Sequence, residues 1–452
     1  MLTAQSTDVI LHAFDWPYTL VAQRAEAIDR AGYKSVLVSS PMKSKKCPQG
    51  TCWWQRYQPQ DYRVIDNQLG DTHDFVAMIS TLKERGIRLY IDVVFNHMEN
   101  EADARSNLQY PSDEDLQRYQ QQHDYYQSIR LFGDLSQPLF THLDFVAAFP
   151  IEDWRDKWQV QFGRLTGSPV DIGLPTLAAN TNVIGQQKEY LLAMKQLGVT
   201  GFRIDAAKHM TIEHLQQVWT KDICENVHIF GEIITDGGAS KPEYELFLQP
   251  FLAKTQLGAY DFPLFKTLYD ALQTQGSFTA LIDPYHYGLA LSESRALTFS
   301  ITHDIPNNRV FSDLVMDEES EWLANTFILG RDGGVPLIYT DLDTSGILST
   351  EGEPRWKDTW RDSRMVSRVM FHNLMHGKAM KVKEANDDLL VFSRGDDGWV
   401  AMNKSVRSQS VEITTNDTWH DLLSGITYQP DLGRISLKIL AKDSAMLIRY
   451  SS

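Results

Sequence analysis

The feature that most constrains the fold is an alternation of short apolar runs with helical patterns, from the N-terminus to about residue 340. Phe75, Met78, Ile79 and Leu82 repeat at i, i+3, i+4 and i+7, which predicts an amphipathic helix lying on a sheet. The strand candidates, of which the sixth is the weakest, are Val9–Phe14, Ser35–Ser39, Arg88–Phe95, Gly201–Asp205, Val227–Gly231, Tyr260–Leu264, Ala296–Thr302 and Val335–Thr340. This order is typical of α/β proteins with a parallel sheet, and eight such units predict a (β/α)8 TIM barrel.

Two segments depart from the alternation. Residues 98–179 are rich in Asp, Gln, Tyr and Trp without a clear period, and they are too many for an ordinary loop after the third strand. We expect an inserted domain there, beside a barrel built from residues 1–97 and 180–376. After residue 376 short alternating runs return, separated by the turn signal Gly395–Gly398, and 377–452 should form a C-terminal antiparallel β-sandwich domain.

Charge and hydropathy exclude some partners. A net charge of −16 and a pI near 5.3 argue against nucleic acid, which requires a basic surface. No apolar stretch approaches the length of a membrane span, so we expect no membrane partner, and we expect a monomer.

The N-terminal residues show no signal-peptide pattern, so either the protein is cytoplasmic or a signal has been removed. Cys47 and Cys52 bracket a short loop; a disulfide there would indicate an oxidising compartment, whereas free thiols would indicate nothing. These cysteines favour a secreted or periplasmic protein, with the cytoplasm as the alternative.

Polar residues collect at the ends of the predicted strands, where barrel active sites lie. They are Asp92, Asn96, His97, Arg203, Asp205, Lys208, His209, Glu232, His303 and Asp304. Carboxylates from different strands repel one another and raise at least one pKa, which yields an acid beside an ionised carboxylate. Glycoside hydrolysis uses such a pair.

Sequence neighbours suggest which carboxylate takes which role. Arg203 stands two residues before Asp205, on the same face of a strand, which predicts that Asp205 stays ionised. An isolated Arg-x-Asp is more often a structural ion pair, but the carboxylates at the other strand ends favour a catalytic role for Asp205. Glu232 has no adjacent cation and is the better candidate for the acid.

Four ordered motifs resemble those of the α-amylase family of glycoside hydrolases: Asp92–His97, Gly201–His209, Gly231–Ile233 and Phe299–Asp304. The resemblance covers the whole chain and implies a barrel with an inserted domain B and a β-rich domain C. By motif position it implies that Asp205 is the nucleophile, Glu232 the general acid/base and Asp304 the carboxylate that stabilises the transition state. It further implies that His97, Arg203 and His303 form the supporting shell at subsite −1, and Asp92 is a further substrate-binding candidate.

A further segment, Trp53–Pro59, resembles a family segment in which a tyrosine stacks on the sugar. Aromatic faces suit pyranose C–H groups, so Tyr57, Trp53 and Trp54 are sugar-platform candidates, with core filling as the alternative for the tryptophans, and Gln58 is a substrate-binding candidate beside them. The Lys208-His209 pair resembles that of true α-amylases, where it holds glucose units beyond the scissile bond.

The resemblance therefore predicts endo-acting hydrolysis of α-1,4-glucosidic bonds in starch, glycogen or maltooligosaccharides by a retaining mechanism. A maltooligosaccharide-forming exo-amylase, an α-glucosidase or a transglycosylase of the same family are the alternatives. An inactive glycan-binding homologue is a remote one, because such relatives typically lose catalytic carboxylates and this chain has all three.

Family α-amylases often bind structural calcium through an asparagine matching Asn96, the backbone carbonyl at His209 and a domain B aspartate. Thr176 stands where that aspartate is usual, so the resemblance implies a weakened calcium site. Chloride is not expected, because Thr302 replaces the asparagine of chloride-binding members and no basic residue stands near Leu337.

Overall fold

The computed structural model describes residues 9–47, 52–100, 107–168 and 170–450. Eight parallel strands close into a barrel in which every strand pairs with its neighbours in sequence and the first pairs with the last. The strands are β1 (Ile10–Ala13), β2 (Ser35–Val38), β3 (Arg88–Val93), β4 (Gly201–Ile204), β5 (His228–Gly231), β6 (Gly258–Tyr260), β7 (Ala296–Phe299) and β8 (Val335–Thr340). The predicted TIM barrel is confirmed.

Helices cover the outside of the barrel, and most of them are amphipathic segments that follow a strand. The helices associated with the barrel are Tyr18–Arg30, Thr72–Glu84, Thr181–Leu197, Ile212–Val218, Lys221–Cys224, Gln249–Lys254, Phe262–Leu272, Asp304–Asn307, Glu318–Gly330 and Ser363–Leu374. Tyr244–Leu248 is a π-helical turn, and 3-10 turns occupy Trp53–Tyr57, Ala207–His209, Phe278–Leu281, Ser312–Leu314 and Thr359–Arg361. A short hairpin joins Asp66–Asn67 to Gly70–Asp71.

The sixth strand lies earlier than the sequence predicts. The apolar run Tyr260–Leu264 contains the end of β6 and the start of the next helix. Asp261 caps that helix by accepting a hydrogen bond from the Leu264 amide, 2.9 Å, and Pro263 fits its first turn. The prediction of a strand over Tyr260–Leu264 is therefore wrong beyond Tyr260, because a cap and a proline start a helix inside an apolar run.

The described residues between β3 and the helix Thr181–Leu197 hold little regular structure. Their elements are the helices Asp113–Gln121, His123–Ser128 and Lys157–Phe162, the 3-10 turn His142–Asp144 and the paired two-residue strands Gln109–Tyr110 and Phe140–Thr141. The isolated bridge His97–Thr176 joins this inserted segment to the end of β3. In the described residues no helix is both long and apolar enough to cross a membrane.

The C-terminal residues form antiparallel sheets. Six strands make one sheet, in the order Met380–Ala385, Leu389–Arg394, Gly398–Asn403, Asp443–Arg449, Trp419–Asp421 and Thr427–Tyr428, and Gln409–Thr414 pairs with Arg434–Ile439 in a second. Side chains from both sheets, including Val391, Ile413 and Leu437, share one buried cluster. The predicted hairpin turn joins the second and third strands, with Arg394 opposite Gly398. The numerical boundaries of the three domains stay a prediction.

Two glycines offer a matched test of packing in the barrel. A Cβ added at Gly201, on β4, would lie 2.0 Å from the Tyr90 ring, whereas one at Gly185, in the helix Thr181–Leu197, meets nothing within 4 Å. Gly201→Ala should destabilise the protein by about 1–3 kcal/mol through overpacking. Gly185→Ala should stabilise it by about 0.5–1 kcal/mol, because alanine loses less backbone entropy in a helix. Chemical unfolding of both variants checks this, and equal shifts would contradict it.

Candidate active site

Arg203, on β4, lies beneath the carboxyl ends of the barrel strands, and its side chain is wholly buried. Its Nη1 lies 2.5 Å from Asp92 Oδ1 and 3.0 Å from Asp205 Oδ1. Its Nη2 donates to Glu232 Oε1 and lies 3.8 Å from Asp304 Oδ2. One guanidinium thus holds four carboxylates, which arrive from β3, β4, β5 and the segment after β7.

The end of β4 is fixed to the end of β5 by the backbone as well. The Ala206 amide donates to Glu232 Oε2 at 3.0 Å, and the Lys208 amide donates to the Glu232 carbonyl at 3.1 Å. Ala206 adopts a left-handed conformation with φ of 48°, which is unfavourable for a residue with a Cβ. This turn directs the amide that follows Asp205 toward Glu232.

The electrostatics of these carboxylates differ from the prediction. Burial raises the pKa of Asp205 well above its usual range, and Arg203 only partly opposes this. Burial acts in the same direction on Glu232, but the Arg203 guanidinium, a hydrogen bond with Asp304 and the Ala206 amide outweigh it and lower the pKa of Glu232. The predicted order, with Asp205 as the low-pKa group, is therefore reversed in the protein without substrate. Arg203 is long enough to reach across to β5, which sequence spacing does not reveal.

The other two carboxylates are also perturbed. Burial and the neighbouring Glu232 carboxylate raise the pKa of Asp304 well above its usual range. Burial raises the pKa of Asp92 to about 6, although Arg203 and the Tyr57 hydroxyl oppose the shift. Four acids around one guanidinium cannot all ionise in a buried site, so this cluster retains a proton at pH values where exposed carboxyls have lost theirs.

A ring stack covers one side of the cluster. The His303 ring lies against Tyr57 on one face, 5.2 Å between centroids, and against Phe14 on the other, 4.7 Å. The Tyr57 hydroxyl donates to Asp92 Oδ2 at 3.0 Å, and the Tyr57 carbonyl lies 2.9 Å from His97 Nε2. Burial lowers the pKa of both His97 and His303, so both imidazoles are neutral near pH 7.

Above this cluster lies a cleft of about 680 Å³, a volume in the range of ligand sites. Most of the predicted residues line it, namely Trp53, Trp54, Tyr57, Gln58, His97, Asp205, Lys208, His209, Glu232, His303 and Asp304. Asp92 and Arg203 do not, because both are wholly buried and support the carboxylates from below. Trp54 is the more open of the two tryptophans, whereas Trp53 packs edge-on against Tyr57 and His303.

The cleft also contains residues that sequence reasoning missed. Trp154 comes from the inserted segment and meets the His209 ring edge-on at 5.8 Å between centroids. Glu243 pairs with Lys208 Nζ at 3.3 Å, and Phe311 lines the cleft from the segment after Asp304. In the sequence Trp154 is one of several aromatic residues in a segment that has no period to place it.

The residues near Asn96 fit calcium poorly. Asn96 Nδ2 lies 3.3 Å from His97 Nδ1, and the Thr176 hydroxyl donates to the Gly163 carbonyl at 2.8 Å. In the described part of the chain, no three His, Cys, Asp or Glu side chains come together as a metal-ligand set. The positions that the resemblance assigns to calcium, Asn96, the His209 carbonyl and Thr176, offer neutral oxygens, whereas calcium sites normally include carboxylates.

The model of the α-amylase catalytic domain matches residues 28–418 of this chain. The chain belongs to the α-amylase family. It is 45% identical over 408 residues to an α-amylase from Aeromonas hydrophila, across 90% of this chain and 86% of the relative. It is therefore a glycoside hydrolase of that family.

Two solved structures illustrate the shared fold. The wild-type α-amylase I of Eisenia fetida superposes with a TM-score of 0.76 at 21% identity, across 98% of this chain and 97% of that one. A γ-cyclodextrin glucanotransferase from alkalophilic Bacillus clarkii superposes with a TM-score of 0.72 at 18% identity, across 100% of this chain and 71% of that one. At these identities the likeness concerns the fold, and family members that differ in their products share it.

The opposite pKa shifts of Asp205 and Glu232 predict opposite effects on stability. Because the pKa of Asp205 is raised in the folded protein, ionising this group above the usual pKa range of Asp lowers the stability of the fold. Asp205→Asn removes this loss, so its melting temperature should rise relative to the parent between pH 4 and 7. The lowered pKa of Glu232 makes its carboxylate stabilising above the usual range, so Glu232→Gln should lose in melting temperature at neutral pH, and the loss should shrink as pH falls. Thermal unfolding across this pH range checks both, and parallel curves for the two variants would contradict them.

Proposed function

We propose that this chain hydrolyses internal α-1,4-glucosidic bonds of starch, glycogen or maltooligosaccharides with retention of configuration. The observation that carries the proposal is that Arg203 holds Asp205 and Glu232 through the two terminal nitrogens of one guanidinium, at the floor of the cleft. This brings the two carboxyl groups to one guanidinium. Retaining enzymes use such a pair with one carboxylate as the nucleophile and the other as acid and base, and the motif positions of Asp205 and Glu232 support these roles.

Asp205 attacks the anomeric carbon while Glu232 protonates the leaving glycosidic oxygen, and a glycosyl ester forms on Asp205. Water then attacks the anomeric carbon and gives a proton to Glu232, while the bond from that carbon to the Asp205 oxygen breaks, which restores both carboxyl groups. Asp304 binds sugar hydroxyls and stabilises the transition state. The ring stack of Tyr57 and His303 orders the surroundings of the reacting sugar.

The proton that Glu232 delivers requires a source, because its own pKa is lowered in the protein without substrate. Asp304 supplies it in our proposal, since its pKa is raised and it is hydrogen-bonded to Glu232. A shift of the proton along that hydrogen bond leaves Asp304 ionised toward the sugar and makes Glu232 the acid. Both groups then have the charge that the first step needs.

Internal cleavage is supported by the open cleft beyond the carboxylates. Lys208, His209 and Trp154 line it, and further glucose units can bind there. Glu243, 3.3 Å away, and the Phe247 ring, 5.0 Å away, hold the Lys208 ammonium at the cleft. Soluble α-glucans are the substrates that suit such a cleft, and the Cys47–Cys52 disulfide supports a secreted or periplasmic location.

Asp205→Asn and Glu232→Gln should each reduce hydrolysis of soluble starch by about 10³-fold or more, because each removes a group that acts in the transition state. Reducing-sugar release measures the activity, and circular dichroism verifies that the variants are folded. Near-parental activity in either folded variant would overturn the assignment.

The product pattern tests internal cleavage separately. Maltoheptaose should yield a set of shorter maltooligosaccharides, and the first products should have the α configuration by NMR. Glucose as the sole product would indicate an α-glucosidase, one dominant oligosaccharide an exo-amylase, and products longer than the substrate a transglycosylase.

Calcium should contribute little to stability. Thr176 provides no charge and its hydroxyl already bonds to Gly163, so we expect a chelator to lower the melting temperature by at most a few degrees. Thermal unfolding with and without EDTA is the measurement. Thr176→Asp is the matched variant, and it should increase the effect of calcium; a fall of many degrees in the parent would contradict the proposal.

A further inference from the structure

A second group of aromatic side chains lies outside the cleft, on the inserted segment. Trp158, on the helix Lys157–Phe162, is 59% exposed, although its ring stacks on Phe149 with 4.8 Å between centroids and an angle of 6°. Phe162 stacks beside it at 6.0 Å. A contiguous patch of exposed apolar side chains marks a binding surface, whereas apolar residues that are exposed singly are ordinary.

This group is rigidly attached to the Lys208-His209 end of the cleft. The Val160 carbonyl, in the same helix, accepts from His209 Nδ1 at 2.8 Å, and Gln161 Nε2 donates to the Met210 carbonyl at 3.2 Å. Asp156 caps the helix by accepting from the amides of Trp158 and Gln159. The exposed rings are therefore fixed relative to the catalytic cleft.

Trp154 connects the two places. It lines the cleft beside His209 and is itself 47% exposed, and Trp158 follows it by four residues. Four residues of chain span at most about 14 Å, which is the length of a few glucose units. A chain that leaves the cleft over Trp154 can thus reach Trp158.

The chemistry of the surface favours a neutral ligand. The whole chain carries −16 at pH 7, which repels nucleic acids and anionic membranes. The exposed residues around the two tryptophans, Glu152, Asp153 and Arg155, bring both signs of charge and offer hydrogen-bonding groups. An aromatic face bordered by such groups suits pyranose rings, which have apolar C–H faces and polar rims.

We propose that Trp158, on its Phe149 support, is an outer binding site for the same α-glucan chain whose cleavage occurs in the cleft, with Trp154 as the connection. The inference rests on the proposed function and adds that long chains are held by a site that short ones do not reach. Trp158 contributes affinity for polymers and takes no part in the chemistry.

The test compares long and short substrates. Trp158→Ala should raise KM for soluble starch by roughly three- to tenfold, the range expected for losing one stacking interaction. It should leave kcat on starch, and kcat and KM on a chromogenic maltotrioside, near the parental values. Trp158→Phe keeps an aromatic face and should restore much of the affinity for starch.

Binding is measured apart from hydrolysis by gel electrophoresis through starch. All proteins in this comparison carry Glu232→Gln, the background substitution, so that the polymer stays intact. Trp158→Ala should migrate faster than its background protein. Tyr450→Ala is the matched control, because Tyr450 is 55% exposed but follows the last strand of the C-terminal sheet, Asp443–Arg449, where its ring lies near His420. That control should migrate like the background.

Three results would overturn the inference: equal migration of Trp158→Ala and the background, an equal loss on the maltotrioside, or a change of oligomeric state in Trp158→Ala by size-exclusion chromatography. The last would identify the patch as a contact between copies of the chain. Failure of the proposed function would give a different result. The parent protein would then release no sugar from starch, whether or not starch slows its migration in the gel.

Discussion

The site depends on one buried guanidinium and the four carboxylates around it. A wholly buried Arg203 without partners would be strongly destabilising, and so would Asp92, Asp205, Glu232 and Asp304 without a cation. The barrel solves both problems by bringing the ends of separate strands to one point. The charges do not cancel, because four acidic side chains surround one cation. The remaining negative charge raises some pKa values and leaves a proton in the site, and an acid catalyst needs such a proton.

Much of this arrangement could be predicted from the sequence, for physical reasons. The apolar runs marked seven of the eight strands well, and the polar residues that follow them met at one end, as parallel strands require. The sixth strand was misplaced because apolar residues continue through Asp261 into a helix. The pKa order was wrong because it treated Arg203 as a neighbour of Asp205 alone, whereas its side chain crosses to Glu232. The order of parallel strands determines which residues meet, but it does not determine how a long side chain divides its hydrogen bonds.

The inserted segment was the least predictable part, since it has few regular elements and therefore no period. Its contribution to the cleft, Trp154, could be found only in three dimensions. The same segment shows how a wall of the cleft is braced through neutral groups. The Thr176 hydroxyl bonds to the Gly163 carbonyl, and the Leu177 amide donates to the Asn96 carbonyl at 2.9 Å. Together with the His97–Thr176 bridge these contacts tie the segment to β3 by backbone pairing.

The strained turn at Ala206 shows how far the geometry of the site is set by the barrel itself. A residue with a Cβ accepts a φ of 48° only where the surrounding structure compensates, and here the compensation is the hydrogen bond from its amide to Glu232. This bond lowers the pKa of Glu232 and fixes its carboxyl against the end of β4. The backbone therefore sets the distance between the two strands whose ends carry Asp205 and Glu232. Side chains of the inserted segment can vary around this frame and alter which glucan chains bind without moving the reacting groups.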